Sequence, residues 1–200
     1  MLNLEEIEQY YPEALRKDIS YLLKEYLQYK ILEIVFNTPF ANKLSFIGGT
    51  SIRIVHNINR FSEDLDFDNF GISDTDFKEI TKTVRKKLEL EGYEIEVEDK
   101  SKQALNCSVK FLGILYKSRI SPHKQEKVHI KLQTEPHGFG YKPNKFLLNN
   151  FEVFTQINVT PMDILLSMKI YAIFNAQVLN SSPFFDVRKL KPKSIAFSFN

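Results

Sequence analysis

Apolar residues recur every three or four positions through the first part of the chain, which is the pattern of a helix buried along one side. Pro12 suits the first turn of such a helix, and the polar segment Asn37-Thr38-Pro39 ends it. The spacing therefore predicts one long helix from Pro12 to about Phe36.

A short apolar segment at 43–47 then predicts a strand, and the pair Gly48-Gly49 interrupts it. Thr50 or Ser51 can cap a short helix that follows and runs through Asn57, because a hydroxyl side chain accepts a hydrogen bond from the first helical N–H groups.

The next segment alternates strictly between acidic and apolar residues. In a strand, successive side chains point to opposite faces of the sheet. We therefore expect Asp64, Asp66 and Asp68 to share one face, with Leu65 and Phe67 on the other.

The remaining pattern adds two helices and four strands. Helices are expected at 74–91 and 160–175, and strands at 93–98, 106–116, 127–134 and 151–157. This order of elements predicts an α+β fold with a mixed sheet flanked by helices.

Composition excludes several classes of protein. The chain of 200 residues is 43% hydrophobic and 26% charged, which is typical of a globular domain rather than a disordered one. Its single cysteine excludes an internal disulfide and a thiolate metal cage, and its net charge of +2 does not by itself indicate a polyanion partner. The first residues do not resemble a signal peptide, and no apolar stretch is long enough to span a membrane. We therefore expect a cytoplasmic protein with no membrane partner.

The chemistry is concentrated between Leu44 and Asp68, where a strand, a Gly-Gly turn, a short helix and an Asp-x-Asp strand follow one another. Glycines at 48 and 49 allow a phosphate to approach the backbone, and a helix that starts at Thr50-Ser51 offers N–H groups to it. Asp64 and Asp66 on one strand face supply the oxygen ligands that Mg²⁺ prefers. The segment lacks a P-loop motif, and the residues expected of a calcium loop are not in place.

Other polar residues have simpler interpretations. The basic residues between 78 and 87 are expected to form a solvated helix face rather than an RNA-binding one. The four histidines show no zinc-like spacing, and Cys107 is expected to be a small buried side chain. Phe146, Phe151 and Phe154 are expected in the core.

The segments GGTSIR and RFSEDLDFD resemble those of the AbiEii/AbiGii-type nucleotidyltransferase toxins, which belong to the DNA-polymerase-β-like nucleotidyltransferase superfamily. The resemblance implies that the turn binds the triphosphate of an NTP and that the Asp-x-Asp pair binds Mg²⁺. The residues implied as nucleotide-binding are Gly48, Gly49, Thr50, Ser51, Arg53 and Lys169, and those implied as catalytic are Asp64, Asp66, Lys169 and Asp186. The implied metal ligands are Asp64 and Asp66, while Arg60 and Ser62 match the pattern as supports.

A further acidic residue of the family is expected on the strand at 127–134. Here its place is taken by Lys131 or Gln133, with Glu135 nearby on an uncertain register. Lys169 matches the family's helical lysine, whereas Asp186 matches only the end of its last motif. Residues 1–187 are expected to form the nucleotidyltransferase core with its N-terminal helices, and 188–200 a poorly packed or truncated tail.

The resemblance implies a Mg²⁺-dependent enzyme that transfers a nucleoside monophosphate from an NTP to a hydroxyl of an RNA, such as a tRNA, or of a protein. It also implies a bacterial toxin of a toxin–antitoxin or abortive-infection system, with a cognate antitoxin as partner. The alternative is a truncated, catalytically impaired member that only binds nucleotide or a partner protein.

Overall fold

The computed structural model describes residues 2–99, 105–138 and 140–175. Seven α-helices and seven β-strands are found in this part of the chain. In chain order they are α1 (Leu4–Glu8), α2 (Glu13–Arg16), α3 (Ile19–Phe36), β1 (Leu44–Ile47), α4 (Gly48–His56), β2 (Leu65–Asn69), α5 (Asp74–Leu90), β3 (Ile95–Asp99), β4 (Leu105–Leu112), α6 (Ile114–Lys117), β5 (Lys127–Glu135), β6 (Asn144–Asn150), β7 (Val153–Val159) and α7 (Met162–Asn175).

The strands form one mixed sheet in the order β3-β4-β5-β2-β1-β7-β6. The central strand β2 runs antiparallel to β1 and parallel to β5, so these three strands lie side by side. The outer pairs, β3 with β4 and β6 with β7, are antiparallel. The expected α+β fold with a mixed sheet flanked by helices is confirmed.

Helices cover both faces of the sheet. The main core lies on the face that carries Leu65 and Phe67, where α3 and α5 pack. The opposite face carries Asp66 and is covered at one end only, where Ile52 of α4 and Leu165 of α7 meet Ile47. The polar side of β2 therefore stays accessible between these two helices and β5.

Four parts of the predicted pattern differ from the structure. The helix predicted from Pro12 to Phe36 is divided into α2 and α3, with Pro12 as the N-cap residue of α2, and α1 precedes it. The strand predicted at 106–116 ends at Leu112, because Gly113 adopts a left-handed conformation and α6 begins after it. The last predicted strand is a hairpin of β6 and β7, whose first strand is only partly buried and so has a weak apolar signal. Phe154 was expected in the core but is 68% exposed, because it points away from the core side of this hairpin.

The tip of this hairpin anchors the N-terminal helices. Phe151 has a φ of 56°, which lies in the left-handed region that non-glycine residues seldom adopt. Its ring contacts four tyrosine rings, those of Tyr10, Tyr11, Tyr26 and Tyr29, at centroid distances from 4.7 to 6.0 Å. The Tyr10 hydroxyl also donates a hydrogen bond to the Phe151 carbonyl. Aromatic packing therefore holds an unfavourable backbone conformation in place.

We predict that Phe151→Ala lowers the free energy of unfolding by about 3–5 kcal/mol, because the substitution empties the centre of this aromatic cluster. The exposed Phe154 is the matched control, and Phe154→Ala should change stability by less than about 0.5 kcal/mol. Denaturant unfolding of both variants measures the difference. Equal stabilities would show that the cluster does not anchor the hairpin.

Candidate active site

The turn after β1 brings its backbone against a carboxylate. Ile47 is paired with Asp66 across the antiparallel strands, so Gly48 follows directly beside that side chain. Gly48 has a φ of +80°, and a β-carbon built there would overlap Asp66 Oδ2. Glycine is therefore required at position 48 for both its backbone conformation and its lack of a side chain.

The helix α4 begins two residues earlier than the pattern suggested. Ile47 is its N-cap residue and makes no side-chain capping bond. Thr50 and Ser51 lie inside the first turn, where their hydroxyls donate to the backbone carbonyls of Asp64 and Phe46. The expectation that either residue caps the helix is therefore wrong, since both side chains are used to fasten the turn to the strands.

The first strand residue of β2 is Leu65, so Asp64 lies immediately before the strand and Asp66 lies within it. Burial raises the pKa of Asp66, and the charge of Asp64 raises it further. The hydrogen bond from Gln133 and the charge of Lys169 act in the opposite direction on this pKa. A carboxylate whose ionisation is disfavoured by burial and by a neighbouring negative charge is a favourable partner for a cation.

The neighbouring strand β5 places an amide beside this pair. Gln133 is in register with Asp66, and its Nε2 donates to Asp66 Oδ1 at 2.6 Å. The sequence left open whether Lys131 or Gln133 takes the position of the further acid; the register puts Gln133, and not Lys131, opposite Asp66. Glu135 is in register with Asp68, one step further along the same face.

These groups surround a cavity of about 410 Å³. Its polar lining comes from four elements: Gly48 at the start of α4, Asp66 on β2, Gln133 and Glu135 on β5, and Lys169 on α7. The structure thus brings together Gly48, Asp66 and Lys169, which the sequence predicted for one site. The predicted residue Asp186 lies outside the described residues, as does the tail from 188 onward.

Arg53 does not face this cavity. Its guanidinium donates to both carboxylate oxygens of Glu25 on α3, at 2.8 and 3.1 Å, and also to the Ile58 carbonyl. Both side chains of the pair are buried, at 5% and 6% exposure. Arg53 therefore holds α4 against α3, and this structural role replaces the expectation that it binds nucleotide.

A buried glutamine, which the sequence did not single out, supports the acidic pair. Gln28 on α3 is fully buried and donates from Nε2 to the carbonyls of Ser62 and Glu63, at 2.9 and 3.0 Å. The segment that it holds leads directly into Asp64, and Ser62 itself lies against Gly49. Gln28 is missed because it lies in a helix whose other buried positions are mostly apolar.

The donor set fits a hard divalent cation. Asp64 and Asp66 would hold Mg²⁺, because carboxylate oxygens are its usual protein ligands and the Gly48 turn leaves room beside Asp66 Oδ2. Within residues 2–99, 105–138 and 140–175, no group of three or more His, Cys, Asp or Glu residues could hold a metal ion. The described part of the chain would therefore supply two carboxylates, and substrate phosphates and water would supply further ligands.

Comparison with protein families matches the chain to the family described as the nucleotidyl transferase AbiEii toxin of a type IV toxin–antitoxin system. The match covers residues 30–193. The chain therefore belongs to the AbiEii nucleotidyl transferase toxin family. A search among curated proteins finds no match.

Two solved structures with the same fold are JHP933 from Helicobacter pylori and MenT4, a nucleotidyltransferase toxin from Mycobacterium tuberculosis H37Rv. JHP933 has a TM-score of 0.58 and 18% identity, over 84% of this chain and 64% of that one. MenT4 has a TM-score of 0.55 and 18% identity, over 85% of this chain and 58% of that one. This chain thus spans about three fifths of the length of either protein.

We predict that Gly48→Ala is more harmful than a change at Gly71, although both residues have positive φ. Gly71 has nothing within 4 Å of the added β-carbon, so Gly71→Ala carries only the backbone cost of about 1–2 kcal/mol. Gly48→Ala should lose about 1–3 kcal/mol more, because the added carbon displaces Asp66. Denaturant unfolding measures both variants, and equal losses would show that Asp66 does not lie against this turn.

Proposed function

We propose that this protein transfers a nucleoside monophosphate from an NTP to an acceptor hydroxyl, with Mg²⁺ bound, and releases pyrophosphate. The observation that carries the proposal is the close contact between the Gly48 turn and Asp66, beside the accessible Lys169. A phosphate chain needs backbone donors and cations, and a metal needs carboxylates. This cavity offers both within one set of neighbouring elements.

In this proposal, different residues bind the triphosphate and the metal ion. Backbone N–H groups of Gly49 and Thr50 at the start of α4, which have no partner inside the helix, bind the triphosphate, favoured by the positive end of the helix dipole. Lys169 neutralises phosphate charge from the side of α7. Asp64 and Asp66 hold the metal, which when bound lowers the cost of charge developing on the phosphoryl oxygens.

The biological role that fits is that of a toxin controlled by a cognate antitoxin, acting in the cytoplasm. The matched family is that of a toxin from a type IV toxin–antitoxin system, and MenT4 is a nucleotidyltransferase toxin. No helix among the described residues is long and apolar enough to cross a membrane. The acceptor is an RNA, such as a tRNA end, or a protein hydroxyl. The basic helix α5 packs on the sheet face opposite to Asp66, so it does not extend the cavity.

A second candidate is a protein that binds nucleotide without transferring it. Gln133 favours this candidate, because it lies opposite Asp66. Its amide carries no negative charge, so it cannot serve a metal ion as a carboxylate would. The two candidates differ in one measurable property, namely the appearance of labelled product.

We predict that wild-type protein incubated with total RNA, each α-labelled NTP and Mg²⁺ gives labelled RNA or labelled protein, and that EDTA prevents it. Asp66→Asn should reduce the rate by at least about 10²-fold, since it removes a metal-binding charge. Asp74→Asn is the matched control, because Asp74 is exposed and paired with Lys78 on α5. This variant should label at the wild-type rate.

Calorimetric titration with Mg²⁺ and each NTP separates the remaining outcomes. Binding without any labelling would favour the nucleotide-binding candidate. Labelling that persists in Asp66→Asn at the wild-type rate would exclude the site described above.

A further inference from the structure

A second acidic residue of β2 holds a histidine that lies near Glu135, one of the residues that line the cavity. Asp68 lies on the same strand face as Asp66 but is only 1% exposed. Its Oδ1 accepts a hydrogen bond from the backbone N–H of His137 at 3.2 Å. The same oxygen lies 2.9 Å from the ring Nδ1 of His137. The backbone bond and the ring bond together fix the imidazole relative to the sheet.

This contact selects the tautomer of the ring. A carboxylate only accepts hydrogen bonds, so His137 Nδ1 carries the ring proton and donates a hydrogen bond to Asp68. In the neutral ring the lone pair then belongs to Nε2. Nε2 lies 3.9 Å from Oε1 of Glu135, a residue that lines the cavity with Asp66 and Lys169. The basic nitrogen of the ring therefore lies near a residue that lines the cavity on its β5 side.

The strand order determines the side from which an acceptor arrives. The turn that would hold the triphosphate follows β1, the metal-binding Asp66 is on the neighbouring β2, and β5 lies on the far side of β2. In an in-line displacement the attacking oxygen enters opposite to the leaving pyrophosphate. An acceptor hydroxyl would thus approach from the β5 side, where Gln133, Glu135 and His137 follow one another.

We propose that His137 is the general base that takes the proton of the acceptor hydroxyl, and that Asp68 is its positioning residue. Nε2 of His137 accepts the hydroxyl proton while the oxygen's electron pair forms a bond to the α-phosphorus. The bond from that phosphorus to the α,β-bridging oxygen breaks, and its electron pair leaves with pyrophosphate. Glu135 faces the resulting imidazolium and stabilises its charge. The proposal rests on the transferase function proposed above.

Gln133 explains why the base would lie further along the chain, just beyond the end of β5. Its side chain is an amide with no basic site, and its Nε2 already donates to Asp66. Lys169 is a cation whose charge is needed near the phosphates. Among the described residues that line or border this cavity on the β5 side, Glu135 and His137 remain as proton acceptors, and a histidine held by a buried carboxylate is the better positioned of the two.

The first test measures the tautomer of the His137 ring and does not depend on enzymatic activity. Long-range ¹H–¹⁵N spectra of the full chain, assigned with His137→Gln, should show the neutral His137 ring protonated at Nδ1. Addition of Mg²⁺ and an α,β-methylene NTP should shift its Nε2 signal, while the exposed His123 signal stays unchanged. A neutral ring protonated at Nε2, or a His137 signal that no NTP analogue moves, overturns the proposal.

The second test measures transfer with total RNA and labelled NTP. His137→Gln should lower kcat by about 10²–10⁴-fold and leave the KM for NTP nearly unchanged, because a base acts on the reacting proton and not on nucleotide binding. His137→Ala should regain part of the rate when imidazole is added, which a merely structural histidine would not allow. His123→Gln is the matched control and should transfer at the wild-type rate.

The outcomes separate the two proposals. Transfer by the wild type with full activity in His137→Gln would overturn the role of His137 and leave the transferase function standing. Absence of transfer in the wild type would overturn both proposals. A loss in His137→Gln without rescue of His137→Ala, together with a raised KM for NTP, would assign His137 to holding the loop and exclude it as the base.

Discussion

The site depends on one close approach, that of a glycine backbone to a carboxylate. Antiparallel pairing puts Ile47 opposite Asp66, and the chain must turn into α4 at the next residue. Only a residue without a side chain fits there, because a β-carbon at Gly48 would overlap Asp66 Oδ2. The pairing of β1 with β2 therefore makes neighbours of the turn that we propose for the triphosphate and the acid that we propose for the metal.

Buried polar contacts from α3 keep this arrangement rigid. Gln28 holds the segment before Asp64, and Glu25 holds Arg53 of α4 through a buried ion pair. Such groups are costly to bury unless their partners are present, so each contact favours one position of α4 and of the acidic segment. The same reasoning applies to Asp68, which is buried on the site face and engages His137.

Local patterns predicted the parts of the structure that depend on neighbours in the sequence. Alternation placed Asp66 and Phe67 on opposite faces, and helical spacing located α5 to within a residue of its end. The failures involve contacts distant in sequence. Arg53 forms an ion pair with Glu25, which is 28 residues away in the sequence. The contact between Asp68 and His137 joins residues that are 69 positions apart. The register of β5 against β2, which puts Gln133 beside Asp66, is likewise fixed by strand pairing rather than by any local motif.

We infer that the face of β2 beside the Gly48 turn is a site for a metal ion and a triphosphate. A crystal structure of the protein with Mn²⁺ and a non-hydrolysable NTP tests it most directly. We expect an anomalous peak between the carboxylates of Asp64 and Asp66, with the triphosphate on the backbone N–H groups at the start of α4. Manganese and nucleotide bound elsewhere, with this cavity empty, would contradict the account.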